Sequence, residues 1–216
     1  MYGTLAFMRT LPGRRAELAE AVGRGRGYRG NYMALVHGMV SGWISTFVYE
    51  LDEYPDQAIL LAAFDSKKSY RENAESVEQR SRYDTYREVL DCDPEWHDGE
   101  ITPFVALVDR EAGGDLYGTV ARFELKPGGE PALEEYLSRW HGDRPMETVP
   151  GGIGSWLLRP DEEPEVAYVA VVFESKRQYV ENATNPITDR HYTEFRRWLS
   201  QDPQWLDGHV RAYQRF

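Results

Sequence analysis

Tyr70 and Asn73 are spaced one helical turn apart, and Tyr179 and Asn182 repeat the spacing, so each pair puts a phenol and a carboxamide on one helix face. Both groups can hydrogen-bond an anionic oxygen, and the phenol can also give up a proton. The structural alternatives are a tyrosine closing the core with its hydroxyl at the surface, and an asparagine capping local backbone. His37 titrates near neutral pH and is the candidate base, with Trp43 as a wall for an aromatic ring. Phe64, Trp156 and Phe173 join Tyr179 and Asn182 as candidate substrate-binding residues. A lone Cys92 excludes an internal disulfide and a multi-cysteine metal centre, and no metal is expected. Gly25-Arg26-Gly27-Tyr28-Arg29-Gly30 has the spacing of a dinucleotide loop, but it follows a helix where such a loop follows a strand.

These residues belong to a duplicated chain. Tyr2-Gly3-Thr4-Leu5-Ala6 recurs as Tyr117-Gly118-Thr119-Val120-Ala121, and Pro12-Gly13 as Pro127-Gly128. Further on, Phe64, Tyr70, Asn73, Tyr83, Leu90 and Trp96 recur as Phe173, Tyr179, Asn182, Tyr192, Leu199 and Trp205. Two domains follow, 1–111 and 115–216. The first carries about six extra residues between Val22 and Gly42, beside His37 and Trp43, which favours its pocket as the working one.

Tyr2 to Arg9 alternates as a strand before the Pro12-Gly13 turn. Leu133, Tyr136, Leu137 and Trp140 form a helical stripe, repeated more weakly by Leu18, Ala21 and Val22. Ser45 to Leu51 and Ala58 to Phe64 read as paired strands, as do Ser155 to Leu158 and Val166 to Phe173. Ser175 and Gln178 have capping-box spacing and open a second helix that presents Tyr192, Phe195 and Leu199. Asp98-Gly99 and Asp207-Gly208 read as turns into a last strand, and Trp96 and Trp205 as packing anchors. The order β-α-β-β-α-β, twice, is α+β and ferredoxin-like. Because the third strands are apolar at successive positions, both their faces should be buried. The two sheets are therefore expected to pack against each other as an intramolecular dimeric α/β barrel, with neither half stable alone.

The chain has 216 residues and a formal charge of −11, which excludes a polyanion binder as the first reading. No stretch is apolar for the roughly 20 residues of a membrane span. The N-terminal residues do not read as a signal peptide, and with a single cysteine the expected compartment is the cytoplasm.

The repeated Tyr-Gly-Thr start, the Phe-x5-Tyr-x2-Asn segment and the Asp-Pro-x-Trp-x-Asp-Gly segment resemble the antibiotic biosynthesis monooxygenase family, twice over. The resemblance implies the dimeric α/β-barrel fold and an oxygenase that uses dioxygen on an aromatic, polyketide-like small molecule without a cofactor. It also implies a pocket between sheet and helices. The family pattern Asn-x3-Trp-x5-Tyr falls here on Leu60, Phe64 and Tyr70, and on Val169, Phe173 and Tyr179, so two of three groups differ. The position of the histidine in haem-degrading relatives holds Ala74 and Ala183, which offer iron no ligand. On this reading His37 removes a proton, and Tyr70 and Asn73 stabilise the anion. Two alternatives stand beside it: a ring-modifying oxygenase using reduced flavin, whose phosphate Arg26 and Arg29 would hold, and a non-catalytic binder of an aromatic metabolite. The expected partners are the aromatic substrate and dioxygen, not nucleic acid or membrane, and a homodimer of the fused pair is left open.

Overall fold

The computed structural model describes residues 1–24, 41–105, 115–141 and 151–214. Two compact units form, Met1–Ile101 with Arg211–Phe216, and Thr102–Val210. The junction expected from the sequence, around residues 111–115, falls largely outside the described residues. The elements are β1 (Tyr2–Arg9), α1 (Arg15–Arg24), β2 (Trp43–Leu51), β3 (Gln57–Phe64), α2 (Lys67–Ala74), α3 (Val77–Arg87) and β4 (Glu95–Val105). The same order returns as β5 (Tyr117–Glu124), α4 (Glu130–His141), β6 (Gly152–Pro160), β7 (Val166–Phe173), α5 (Lys176–Ala183), α6 (Pro186–Arg196) and β8 (Gln204–Gln214). The protein is α+β, and each unit has the ferredoxin-like strand order β4-β1-β3-β2 or β8-β5-β7-β6, with antiparallel pairing.

In the first unit the helices cover a cluster of Ala6, Met8, Val48, Leu60 and Phe64 from the strands with Leu18, Val22 and Tyr86 from α1 and α3. Leu5, Phe47, Ile59 and Leu61 alternate with these, point away from the helices, and are also buried. β3 is thus buried on both faces, as its unbroken apolar run requires. The second unit repeats this with Leu133 and Leu137 of α4 and Phe195 of α6 over Phe123, Leu157 and Val169. No helix among the described residues is long and apolar enough to cross a membrane.

Two expectations need correction. The second helix of each repeat is two helices, since Ser76 caps α3 by accepting from the Gln79 amide at 3.0 Å, and Asn185 caps α6 at the Ile187 amide, 2.9 Å away. Pro186 at the first turn of α6 has no amide to continue α5. Asp98-Gly99 and Asp207-Gly208 do not turn the chain but lie inside β4 and β8, where Gly99 faces Gly3 and Gly208 faces Gly118. The backbone there is crowded: a Cβ on Gly3 would lie 2.0 Å from the Ala62 carbonyl oxygen.

Candidate functional site

Each unit holds a cavity between its sheet and its helices. The first, of about 310 Å³, is floored by Thr4, Leu60, Ala62 and Phe64 and walled by Tyr70 and Asn73 of α2 and Tyr83 of α3. The second, of about 440 Å³, presents the equivalent Thr119, Val171, Phe173, Tyr179, Asn182 and Tyr192. Both lie in the size range of small-molecule sites.

Local sequence fixes the tyrosines. Ser66 ends β3's connection and caps α2, accepting from the Ser69 amide at 3.2 Å, so Tyr70 follows within the first turn and folds back over the strands. Its ring sits 5.2 Å from that of Tyr2 and 5.5 Å from that of Phe64. Ser175 repeats the cap, and Tyr179 lies 5.2 Å from Tyr117 and 5.7 Å from Phe173.

Beneath each tyrosine lies a polar cross-strand pair. Thr4 faces Asp98 across β1 and β4, and Thr119 faces Asp207 across β5 and β8. Thr4 Oγ1, Asp98 Oδ1, Thr119 Oγ1 and Asp207 Oδ1 are all buried, the first two beside the Tyr70 hydroxyl and the others beside that of Tyr179. Burial, and after it the Asp98 carboxylate, pushes the Tyr70 pKa well above the ordinary tyrosine range. Burial and then Asp207 do the same to Tyr179. Each phenol therefore keeps its proton at neutral pH, beside a carboxylate oxygen with spare accepting capacity. A hydroxyl and a carboxylate so placed can hydrogen-bond an oxygen and accept a proton from the same bound molecule.

Of the residues singled out in the sequence, Phe64, Tyr70 and Asn73 come together in the first cavity, and Phe173, Tyr179 and Asn182 in the second. Asn182 is buried, with its Oδ1 unpartnered. Trp43 lies opposite Phe64 across β2 and β3 in the same buried cluster but is not among the described residues that line the cavity, and its Nε1 donates to Thr46 Oγ1 at 3.0 Å. Trp156 neighbours the helix-facing Leu157 on β6 and so points to the other face of the sheet, away from the cavity. His37 and the glycine-arginine loop with Arg26 and Arg29 lie outside the described residues.

Trp96 and Trp205, expected in the core, are instead 41% and 45% exposed, and each lines its unit's cavity. Trp96 leans on Tyr83 at 6.4 Å and Trp205 on Tyr192 at 6.1 Å. Asp98 and Asp207 were hidden by their Asp-Gly setting. The spacing of Trp96 and Asp98, two apart on one strand, could have placed both on the cavity side.

Two ferredoxin-like units in tandem, each with a helix-covered aromatic cavity, define the class of fold. No protein-family model matches the sequence, and no curated protein matches it. Among solved structures, a presumed monooxygenase from Fusobacterium nucleatum subsp. nucleatum is similar over 99% of this chain and 94% of its own, with a TM-score of 0.78 at 7% identity. A presumed monooxygenase from Lactobacillus acidophilus matches 99% of this chain and 95% of its own, with a TM-score of 0.75 at 10% identity. An anthrone oxidase-like protein matches 99% of this chain and 92% of its own, with a TM-score of 0.66 at 15% identity. Over its whole length, the chain has the fold of these monooxygenase-type proteins.

Proposed function

We propose that the protein is an oxygenase of aromatic small molecules that combines a carbon acid with dioxygen directly, without a bound cofactor. The observation that carries this reading is the half-buried tyrosine-carboxylate pair, Tyr70 with Asp98 and Tyr179 with Asp207, at an aromatic-walled cavity in both units. The fold shared with presumed monooxygenases and an anthrone oxidase-like protein is in keeping with it.

For an anthrone-like substrate the steps balance as follows. The aspartate takes a proton from the ring CH2, and the tyrosine hydroxyl donates a hydrogen bond to the enolate oxygen that carries the charge. The carbanion passes one electron to dioxygen, and the radical pair joins as a C–O bond. Protonation gives a hydroperoxide. Loss of the second C–H proton breaks the O–O bond and releases water, leaving a quinone carbonyl. One dioxygen is consumed, the substrate is oxidised, and one oxygen atom enters the product. The aromatic walls exclude water from the carbanion. In this scheme the aspartates take the base role that sequence reading gave His37. Phe64 and Phe173, with Trp96 and Trp205 at the cavity walls, hold the ring.

A binder without catalysis is the second reading, favoured by Leu60 and Phe64, which stand where the resembling family has Asn and Trp. Oxygen uptake by the purified protein with 1,8-dihydroxyanthrone in air, with and without added reduced flavin, separates the readings. Uptake above buffer without flavin, with one quinone formed per dioxygen, supports the proposal. Quinone formed above buffer only with flavin transfers it to the flavin-dependent alternative, and no quinone above buffer in either arm leaves the binder.

A further inference from the structure

The two cavities share their tyrosine and asparagine, Asp207 lines the second while Asp98 lies beside Tyr70 outside the lining of the first, and the two differ in charge along one wall. In the first unit α3 supplies Gln79, Arg80, Arg82 and Tyr86 to the cavity. The equivalent positions in α6 are Thr188, Asp189, His191 and Phe195. Arg82 is half-buried and donates to Gln79 Oε1 at 3.1 Å, and Gln79 Nε2 in turn donates to the Tyr86 hydroxyl at 3.4 Å. Glu78 is the carboxylate that bears on it electrostatically, yet among the described residues no carboxylate lies within ion-pair distance of Arg82. Burial pulls its pKa down, but a guanidinium remains charged at neutral pH. A half-buried cation on a cavity wall, with no carboxylate at ion-pair distance among the described residues, is stabilised by an incoming anion.

Among the described residues that line the second cavity there is no such group. There Tyr136 fills the place of Ala21 and stacks on Phe195 at 4.6 Å, and Asp189 lines the cavity. An anionic ligand meets a carboxylate at that wall and no guanidinium among the lining residues.

We infer that the first cavity is built for an aromatic ligand bearing an acidic group, held by Arg82 with Gln79 and Tyr86 behind it, while the second takes neutral aromatics. This assignment rests on the cavities being the substrate sites proposed above, and it divides the substrate class between them. Divergence at one wall would let the duplicated chain handle two forms of a polyphenol, one ionised and one not.

Titration calorimetry with 2-naphthoate and its neutral isostere naphthalene-2-carboxamide tests it on the intact chain. The expected result is at least roughly tenfold tighter binding of the carboxylate, a preference lost in Arg82→Gln and partly regained in Arg82→Lys, with carboxamide binding unchanged. Equal affinities, a preference that survives Arg82→Gln, or no measurable naphthoate binding would each overturn the inference. Because the readout is binding, it separates from oxygen chemistry. A selective but oxygen-inert protein loses only the oxygenase reading, whereas an active protein without selectivity loses only this one.

Discussion

Thr4 lies directly opposite Asp98 in the antiparallel β1–β4 ladder, and the side chains of both bear on the hydroxyl of the tyrosine above them, Tyr70. Thr119 and Asp207 repeat both features in the second unit, with Tyr179. The same threonine, aspartate and tyrosine meet at the same place twice, with the tyrosine lining a cavity. That placement suits groups kept for a ligand better than groups kept for the fold.

Asp98→Asn and Asp207→Asn test this directly. Each substitution is isosteric and removes a proton acceptor. With a neutral anthrone, which the second cavity takes, Asp207→Asn should carry most of the loss and Asp98→Asn little, and the double variant should lose roughly a hundredfold or more. Melting temperatures should stay within about 4 °C of the parent, as expected for changes near 1 kcal/mol or less. A double variant with full turnover and a lowered melting temperature would make the pair structural. If His37→Ala abolished turnover while the aspartate variants were unaffected, the base role would return to His37.

The tyrosines make a prediction about alkaline pH. Burial raises the pKa of Tyr70, Tyr179 and Tyr49 above the ordinary value of 10.0. The folded chain then holds phenolic protons that the unfolded chain releases. The associated stability is intact below pH 10.0 and declines as pH rises beyond it. Urea midpoints across this range should fall on the alkaline side, and fall less steeply in Tyr70→Phe/Tyr179→Phe. An equally steep fall in that variant would show that these hydroxyls are not the buried titrating groups. The same variant should lose roughly tenfold or more in turnover if the hydroxyls hydrogen-bond the developing anion.

How far the sequence could be read depended on which force set each feature. Period-two alternation and an unbroken apolar run gave the limits of β1 and β7 to the residue, because burial of one or both faces decides them. The Ser175–Gln178 cap was legible for a similar reason, since it is a local hydrogen bond. Asp98-Gly99 misled because Asp-Gly favours turns in isolation, whereas here Gly99 is needed where β4 runs beside Gly3. Trp96 misled because size suggests the core, yet its strand position carries it to the cavity wall. Trp156 shared that ambiguity in reverse, and only the face of β6 settles it. The importance of Arg82 was invisible because a lone arginine on a polar helix signals nothing until its neighbours are known.

The glycines in β1 and its turn should respond very differently to substitution. Gly3→Ala would bring a Cβ to 2.0 Å from Ala62 oxygen and 2.6 Å from Ile101 Cδ1, forcing strands apart. Gly13, at φ +76, has nothing within 4 Å of an added Cβ, so alanine there meets only left-handed strain of about 1–2 kcal/mol. Urea denaturation should show Gly3→Ala costing about 3 kcal/mol or more and Gly13→Ala clearly less. The reverse order would contradict the β1–β3 register.

The helix break after α2 is a further mark of the site, because it sends α3 back across the cavity. Ser76→Ala removes the side-chain oxygen that accepts from the Gln79 amide and should cost about 1 kcal/mol by thermal unfolding. A neutral effect would mean that the break is set by packing alone.

The central claim is that the carboxylate beside each tyrosine, Asp98 or Asp207, removes a proton from a carbon acid, and hydrogen exchange without oxygen measures that step alone. Under anaerobic conditions in deuterium oxide, the protein should speed deuterium uptake at the CH2 of an anthrone, followed by proton NMR. The Asp98→Asn/Asp207→Asn variant should leave the rate at that of buffer. Exchange that is no faster with the parent protein, or equally fast with the double variant, would contradict the account.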